Sequence, residues 1–182
     1  MKTPKLISSK IAFRGKNFNV RVDRIKLPNG RIANWDSVNW NNDSVIAVAV
    51  DEKNNVYFSK EWRSAWKKEI TIVPSGSVRK NAGESESIRQ VRNELREEIK
   101  FDARKIEKLV TILSSSKMNS RIHIYLATDL VRSPKKADPE EVIKAVRMPI
   151  KKAYKLFLTG KMETTSYTIL GIILAMNKLG VR

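Results

Sequence analysis

Two stretches decide the class of fold: Glu69-Ile-Thr-Ile-Val-Pro-Ser-Gly76 and, beyond a polar loop, Ser87-Ile-Arg-Gln-Val-Arg-Asn-Glu-Leu-Arg-Glu-Glu-Ile-Lys100. The first predicts a short strand, Glu69 to Val73, closed by Pro74-Ser-Gly76. In the second, Ile88, Val91, Leu95 and Ile99 recur every three or four residues, the spacing of one buried helical face. The helix is expected over 87–99, with Ser87 and Gln90 as a capping box. Glu94, Glu97 and Glu98 stand at i, i+3 and i+4, so their carboxylates project from one side. On an exposed helix each such pair costs about a few tenths of a kcal/mol. The cost grows with burial unless a cation neutralises it. A hard divalent ion such as Mg²⁺ or Mn²⁺ takes oxygen ligands of this kind. Taken alone, the string also fits a solvated face paired with Arg92, Arg96 and Lys100.

Strand patterns lie upstream. Phe18 to Asp23 alternates, Leu27-Pro-Asn-Gly30 makes a turn and Arg31 to Trp35 returns, which reads as a hairpin. Asn34 to Asp43 is polar around Trp35 and Trp40 and is expected to be a connection. Ser44 to Val50 and Val56 to Lys60 form a second hairpin about Asp51–Asn55, and 77–84 is expected to be a loop. Downstream, strands are predicted at Leu109–Leu113, Ile122–Ala127 and Val142–Met148. Helices are predicted from Pro149 to Leu158, ending at Gly160, and from Thr165 to Leu179, ending at Gly180. The expected arrangement is one α/β domain over 41–182 with an N-terminal β extension over 1–40.

Composition bounds the function. The 182 residues are 41% hydrophobic and 30% charged, within the range of globular proteins. The absence of cysteine excludes disulfides and thiolate metal sites, and one histidine leaves little room for a histidine-based triad. No apolar run approaches the ~20 residues of a bilayer span, and the first ten residues lack a signal-peptide core. A cytoplasmic location with no membrane partner is expected. Lys and Arg number 36 against 19 acids, a formal +17. A basic envelope around acidic residues suits a polyanionic ligand meeting a divalent cation. It equally suits a plain solvated surface; nucleic acid is the less favoured partner, since no RNA-recognition or helix-turn-helix signature is present.

The strand, the Pro74-Ser-Gly76 turn, Gly83-Glu84 and the Glu94-Leu-Arg-Glu-Glu98 helix together resemble the Nudix box. Over most of its length the chain resembles the ADP-ribose pyrophosphatase and nucleoside diphosphate sugar hydrolase group of that superfamily. Matching stretches are Phe18 to Asp23 with Leu27-Pro-Asn-Gly30, and Lys60-Glu-Trp-Arg63 where the group tends to have Arg-Gln-Tyr-Arg. Further matches are Pro74-Ser-Gly76 for Pro-Ala-Gly, Arg121 to Ala127, and Val146-Arg-Met-Pro149. The resemblance implies a Nudix fold, a mixed β-sheet between helices, with an N-terminal antiparallel hairpin. It also implies Mg²⁺ or Mn²⁺ held by Glu94, Glu97 and Glu98, with the Ser75 carbonyl as a further ligand. The same glutamates carry the catalysis, and Arg63, Trp62, Lys60 and Glu84 are the substrate-binding candidates. The expected substrate is a nucleoside diphosphate-linked small molecule, with ADP-ribose leading. A homodimer through the N-terminal region is implied, with Phe18, Trp35 and Trp40 as interface candidates.

Several positions depart from the family pattern. Asn93 stands where an arginine usually precedes the first helix glutamate, and Arg92, one residue early, would point about 100° away. Lys100 replaces the glycine after the last glutamates, Ile72 replaces a common acid, and Ser120 stands where glutamate is frequent. Glu84 is displaced in spacing from the box's first glutamate. The general base is therefore open between Glu98 and the loop residues Glu140 and Glu141. His123 is expected to be a packed strand residue. The alternative function is a catalytically impaired Nudix-fold module that binds nucleotide or RNA.

Overall fold

Residues 2–136 and 142–181 are described by the structure, a computed structural model. Three antiparallel strands open the chain: β1 (Lys5–Arg14), β2 (Phe18–Lys26) and β3 (Ile32–Trp40). β4 (Asn42–Val50), β5 (Asn55–Arg63), β6 (Lys68–Ile72) and β7 (Ser75–Arg79) precede helix α1 (Glu84–Glu94), which continues into a π-helical turn over Leu95–Ile99. A long hairpin of β8 (Phe101–Ser115) and β9 (Met118–Arg132) follows, then β10 (Ile143–Pro149), α2 (Ile150–Leu158) and α3 (Ser166–Leu179).

β4 organises the sheet. Its run Val45 to Val50 is buried on both faces, as a central strand covered by helices requires. Ile46, Val48 and Val50 pack with Ile150, Phe157 and Ile172 of α2 and α3. Val45, Ala47 and Ala49 pack with Val91 of α1 and Leu95 and Ile99 of the π turn. The expected mixed sheet between helices is therefore present. At Gly171 of α3 an added Cβ would lie 2.8 Å from Val48, so the helix seats on the sheet only without a side chain there. One edge of β4 runs parallel to β9, from Ser44 opposite Ile122 to Ala49 opposite Ala127. The other edge is shared: β7 pairs with its first half and β5 with Ala49 and Val50. The site forms where β5 and β7 part.

Local sequence and structure differ at four places. The N-terminal hairpin has a third strand, β1, and β3 extends to Trp40 where a connection is expected. Pairing of Phe18 with Trp40 through Lys26 with Ile32 holds those polar residues extended. β7 is likewise a strand, not a loop, because it ladders onto β4 from Asn42 opposite Arg79 to Ile46 opposite Ser75. Helix α1 starts at Glu84 with Gly83 as N-cap, and no capping box forms. Ser87 donates instead to the Gly83 carbonyl, and Gln90 donates to Glu94. Glu84 and Glu86 in the first turn complement the helix dipole. β8 and β9 each run far past the expected strands, carried by their mutual ladder.

Candidate active site

Burial of Leu95 and Ile99 fixes which side of the helix faces the gap between β5 and β7. A cavity of about 660 Å³ opens there, walled by Glu94, Glu97 and Glu98 on one side and by Glu61 and Arg63 of β5 opposite. Glu98 is 6% exposed. Its Oε1 accepts from the Ser75 N–H at 3.1 Å, and its Oε2 accepts from the Ser59 hydroxyl. Burial pushes its carboxyl up to about 8; the two hydrogen bonds oppose the shift, and the charges of Glu94 and Glu61 add to it.

Glu94 is equally enclosed, and its Oε1 accepts from Gln90 Nε2 at 2.6 Å. It lies against the Pro74-Ser-Gly76 turn: a Cβ on Gly76 would stand 1.7 Å from that oxygen. Glycine here leaves room for the carboxylate. Glu97, at the cavity rim, pairs with Lys135. The π turn ends at Lys100, whose φ of 69° places it in the left-handed region. Its Nζ donates to the Glu97 carbonyl at 2.7 Å and tethers the turn.

Strand alternation sorts the β5 candidates. Arg63 lines the cavity and is ion-paired with Glu61. Lys60 and Trp62 project from the opposite face, Lys60 to Glu69 at 2.6 Å and Trp62 into solvent. Glu84 is also outside the cavity, about 15 Å along the helix from Glu94, and pairs with Lys108. Ser75 lines the cavity. Glu61 and Ser59 were not singled out from sequence, although the same period of two that brings in Arg63 would have placed them beside it. The N-terminal extension contributes Asn17, in the turn between β1 and β2, and Trp40 of β3 to the wall.

Other candidates lie apart. Arg92 points away and binds Asp102 and the Ala103 carbonyl at 2.6 and 2.7 Å. His123 is packed, its Nδ1 2.9 Å from the Thr111 hydroxyl, and burial holds its pKa down. Ser120 bonds Ser114 at 2.8 Å beside a separate, smaller cavity. Glu140 and Glu141 fall outside the described residues.

Comparison with known proteins bears on this arrangement. Residues 4–37 match the nucleoside diphosphate sugar hydrolase N-terminal domain family. The chain is 26% identical over 170 residues to an ADP-ribose pyrophosphatase of Bacillus subtilis (strain 168), covering 91% of this chain and 90% of that protein. It is 28% identical to an ADP-ribose pyrophosphatase of Mycobacterium tuberculosis, covering 92% and 80%, and 25% identical to a methanol dehydrogenase activator of Bacillus methanolicus, covering 92% and 90%. A crystal structure of an ADP compounds hydrolase superposes with a TM-score of 0.86 at 17% identity, over 100% of this chain and 98% of that one, which shows a shared fold.

These likenesses support the Nudix ADP-ribose pyrophosphatase-like group.

The donor chemistry fits a hard divalent cation, since the helix glutamates and the Ser75 carbonyl are all oxygen donors. Three carboxylates on one enclosed wall also carry mutual repulsion that a cation would relieve. Among the described residues no three acidic or histidine groups already converge on a single metal position. Each carboxylate is held by a neighbour instead: Glu94 by Gln90, Glu97 by Lys135, and Glu98 by Ser59 and Ser75.

Proposed function

We propose that this chain is a Nudix hydrolase, a Mg²⁺- or Mn²⁺-dependent pyrophosphohydrolase that cleaves the diphosphate of ADP-ribose or a related nucleoside diphosphate sugar. The observation that carries this reading is one cavity with Glu94, Glu97 and Glu98 on one wall and the Arg63 guanidinium on the other. Glu94, Glu97, Glu98 and the Ser75 carbonyl would hold the cation. When bound, it withdraws charge from phosphoryl oxygens and lowers the pKa of water. Arg63 presents a planar fork to a phosphate. A water oxygen forms the new bond to phosphorus, the bridging P–O bond breaks, and the proton passes to a carboxylate. Glu98 would take that role, with Glu140 and Glu141 as the other candidates. The products are AMP and ribose 5-phosphate.

Incubation with ADP-ribose and other nucleoside diphosphate sugars, with each metal and with chelator, tests this. Metal-dependent AMP release is expected, reduced on the order of 100-fold or more in Glu97→Gln. Absence of turnover above that variant across the panel would overturn it. The Asn93 departure and the engagement of Glu97 by Lys135 favour a second reading, a module that binds nucleotide without cleaving it. Calorimetry showing tight binding with intact ligand recovered would select that one.

A homodimer formed through residues 1–40 belongs to the same proposal. Leu6, Ile11, Phe13 and Trp35 stand exposed there. The operating compartment is taken as the cytoplasm. The +17 charge serves anionic substrates; nucleic acid is the less favoured partner, and RNA association at low salt that weakens steeply with added salt would reveal it.

A further inference from the structure

Ser59 is fully buried in mid-sheet, paired with Ile72 of β6 and Ala145 of β10, so its backbone has little freedom. Its hydroxyl donates to one oxygen of Glu98, while the Ser75 N–H donates to the other at 3.1 Å. We propose that Ser59 is a positioning residue, which together with the Ser75 amide clamps the Glu98 carboxylate from two strands so that its orientation is set before a divalent cation binds. The inference rests on the cation-dependent reading above.

The physical case is geometric. A carboxylate has about four lone-pair directions, and two donors on different oxygens leave one direction on each for a ligand. A free glutamate side chain loses rotamer entropy when it is fixed, and here the fold has already taken that loss. An alanine or valine at position 59 would leave a buried carboxylate oxygen without its donor, which is costly where water is excluded. Groups that hold a metal ligand in this way are typically worth about 10- to 100-fold in metal affinity.

Mn²⁺ titration of the full chain, with free ion followed by electron paramagnetic resonance, reads the effect directly. Ser59→Ala and Ser59→Val are expected to bind Mn²⁺ about 10-fold or more weakly than the parent. Ser59→Thr, nearly the volume of valine but with a hydroxyl, should recover most of the loss. Parent-like affinity in Ser59→Ala would overturn the assignment, and so would Ser59→Thr binding no better than Ser59→Val. Should the larger residues prevent folding by circular dichroism, Ser59→Ala against the parent decides alone. No Mn²⁺ uptake by the parent itself would overturn the cation-dependent reading and Ser59 with it, an outcome distinct from normal uptake that ignores Ser59.

Discussion

At the residue scale, Glu98 and Asp51 show one fold treating two buried carboxylates in opposite ways. Burial pushes Glu98 up to about 8 from an ordinary value of 4.5. Between those values the native chain keeps a proton that the unfolded chain has released, so stability falls as pH rises from about 4.5 to about 8. Melting temperatures of the metal-free protein across this range should show that slope, and Glu98→Gln should flatten it; identical slopes would refute the assignment. Asp51 is buried too, yet donors from the Asn55 and Lys53 N–H groups and from Arg147 hold it below its ordinary value. It contributes stability above the unfolded pKa that is lost as pH falls through the lower folded one. Asp51→Ala should destabilise by about 2 kcal/mol at neutral pH, read by urea denaturation. The difference is one of donors, since both groups are enclosed but only Asp51 meets a cation.

Elements follow local rules where their contacts are local. α2 and α3 fall within a residue of their expected bounds because their apolar spacing and the Gly160 and Gly180 stops are written in consecutive residues. The second half of β3, β7 and the outer parts of β8 and β9 were unreadable for the opposite reason: polar residues become strand there only because a distant partner satisfies their backbone. The join between α1 and the π turn supplies two tests. Gly76→Ala drives a Cβ into Glu94 and should cut kcat at least 10-fold while the protein still folds, as checked by circular dichroism. Lys100, where the family pattern has glycine, sits in the left-handed conformation. Lys100→Gly should relieve on the order of 1 kcal/mol of backbone strain and raise the melting temperature. A fall would mean that the Nζ bonds to the Glu97 and Lys135 carbonyls outweigh the strain.

Across the whole molecule, the N-terminal sheet is the part its own chain leaves least covered. β1 is exposed along its entire length, with Leu6, Ile7, Ile11 and Phe13 among the exposed apolar residues. An edge strand of this kind invites pairing with another chain. Sedimentation should give a dimer for the parent and a monomer for the Phe13→Glu, Trp35→Glu double variant; a monomeric parent at micromolar concentration would exclude the dimer.

The amino-acid order by itself determined the shared side of the helix glutamates, the buried helical face of Ile88, Val91, Leu95 and Ile99 and the two C-terminal helices, because each depends on a period of about 3.6 within a few residues. Only the tertiary structure decided which face of β5 meets the helix, and so brought in Glu61, Ser59 and Arg63 and left Lys60 and Trp62 outside. A strand's alternation says which residues share a side. The packing of distant elements says which side becomes the site.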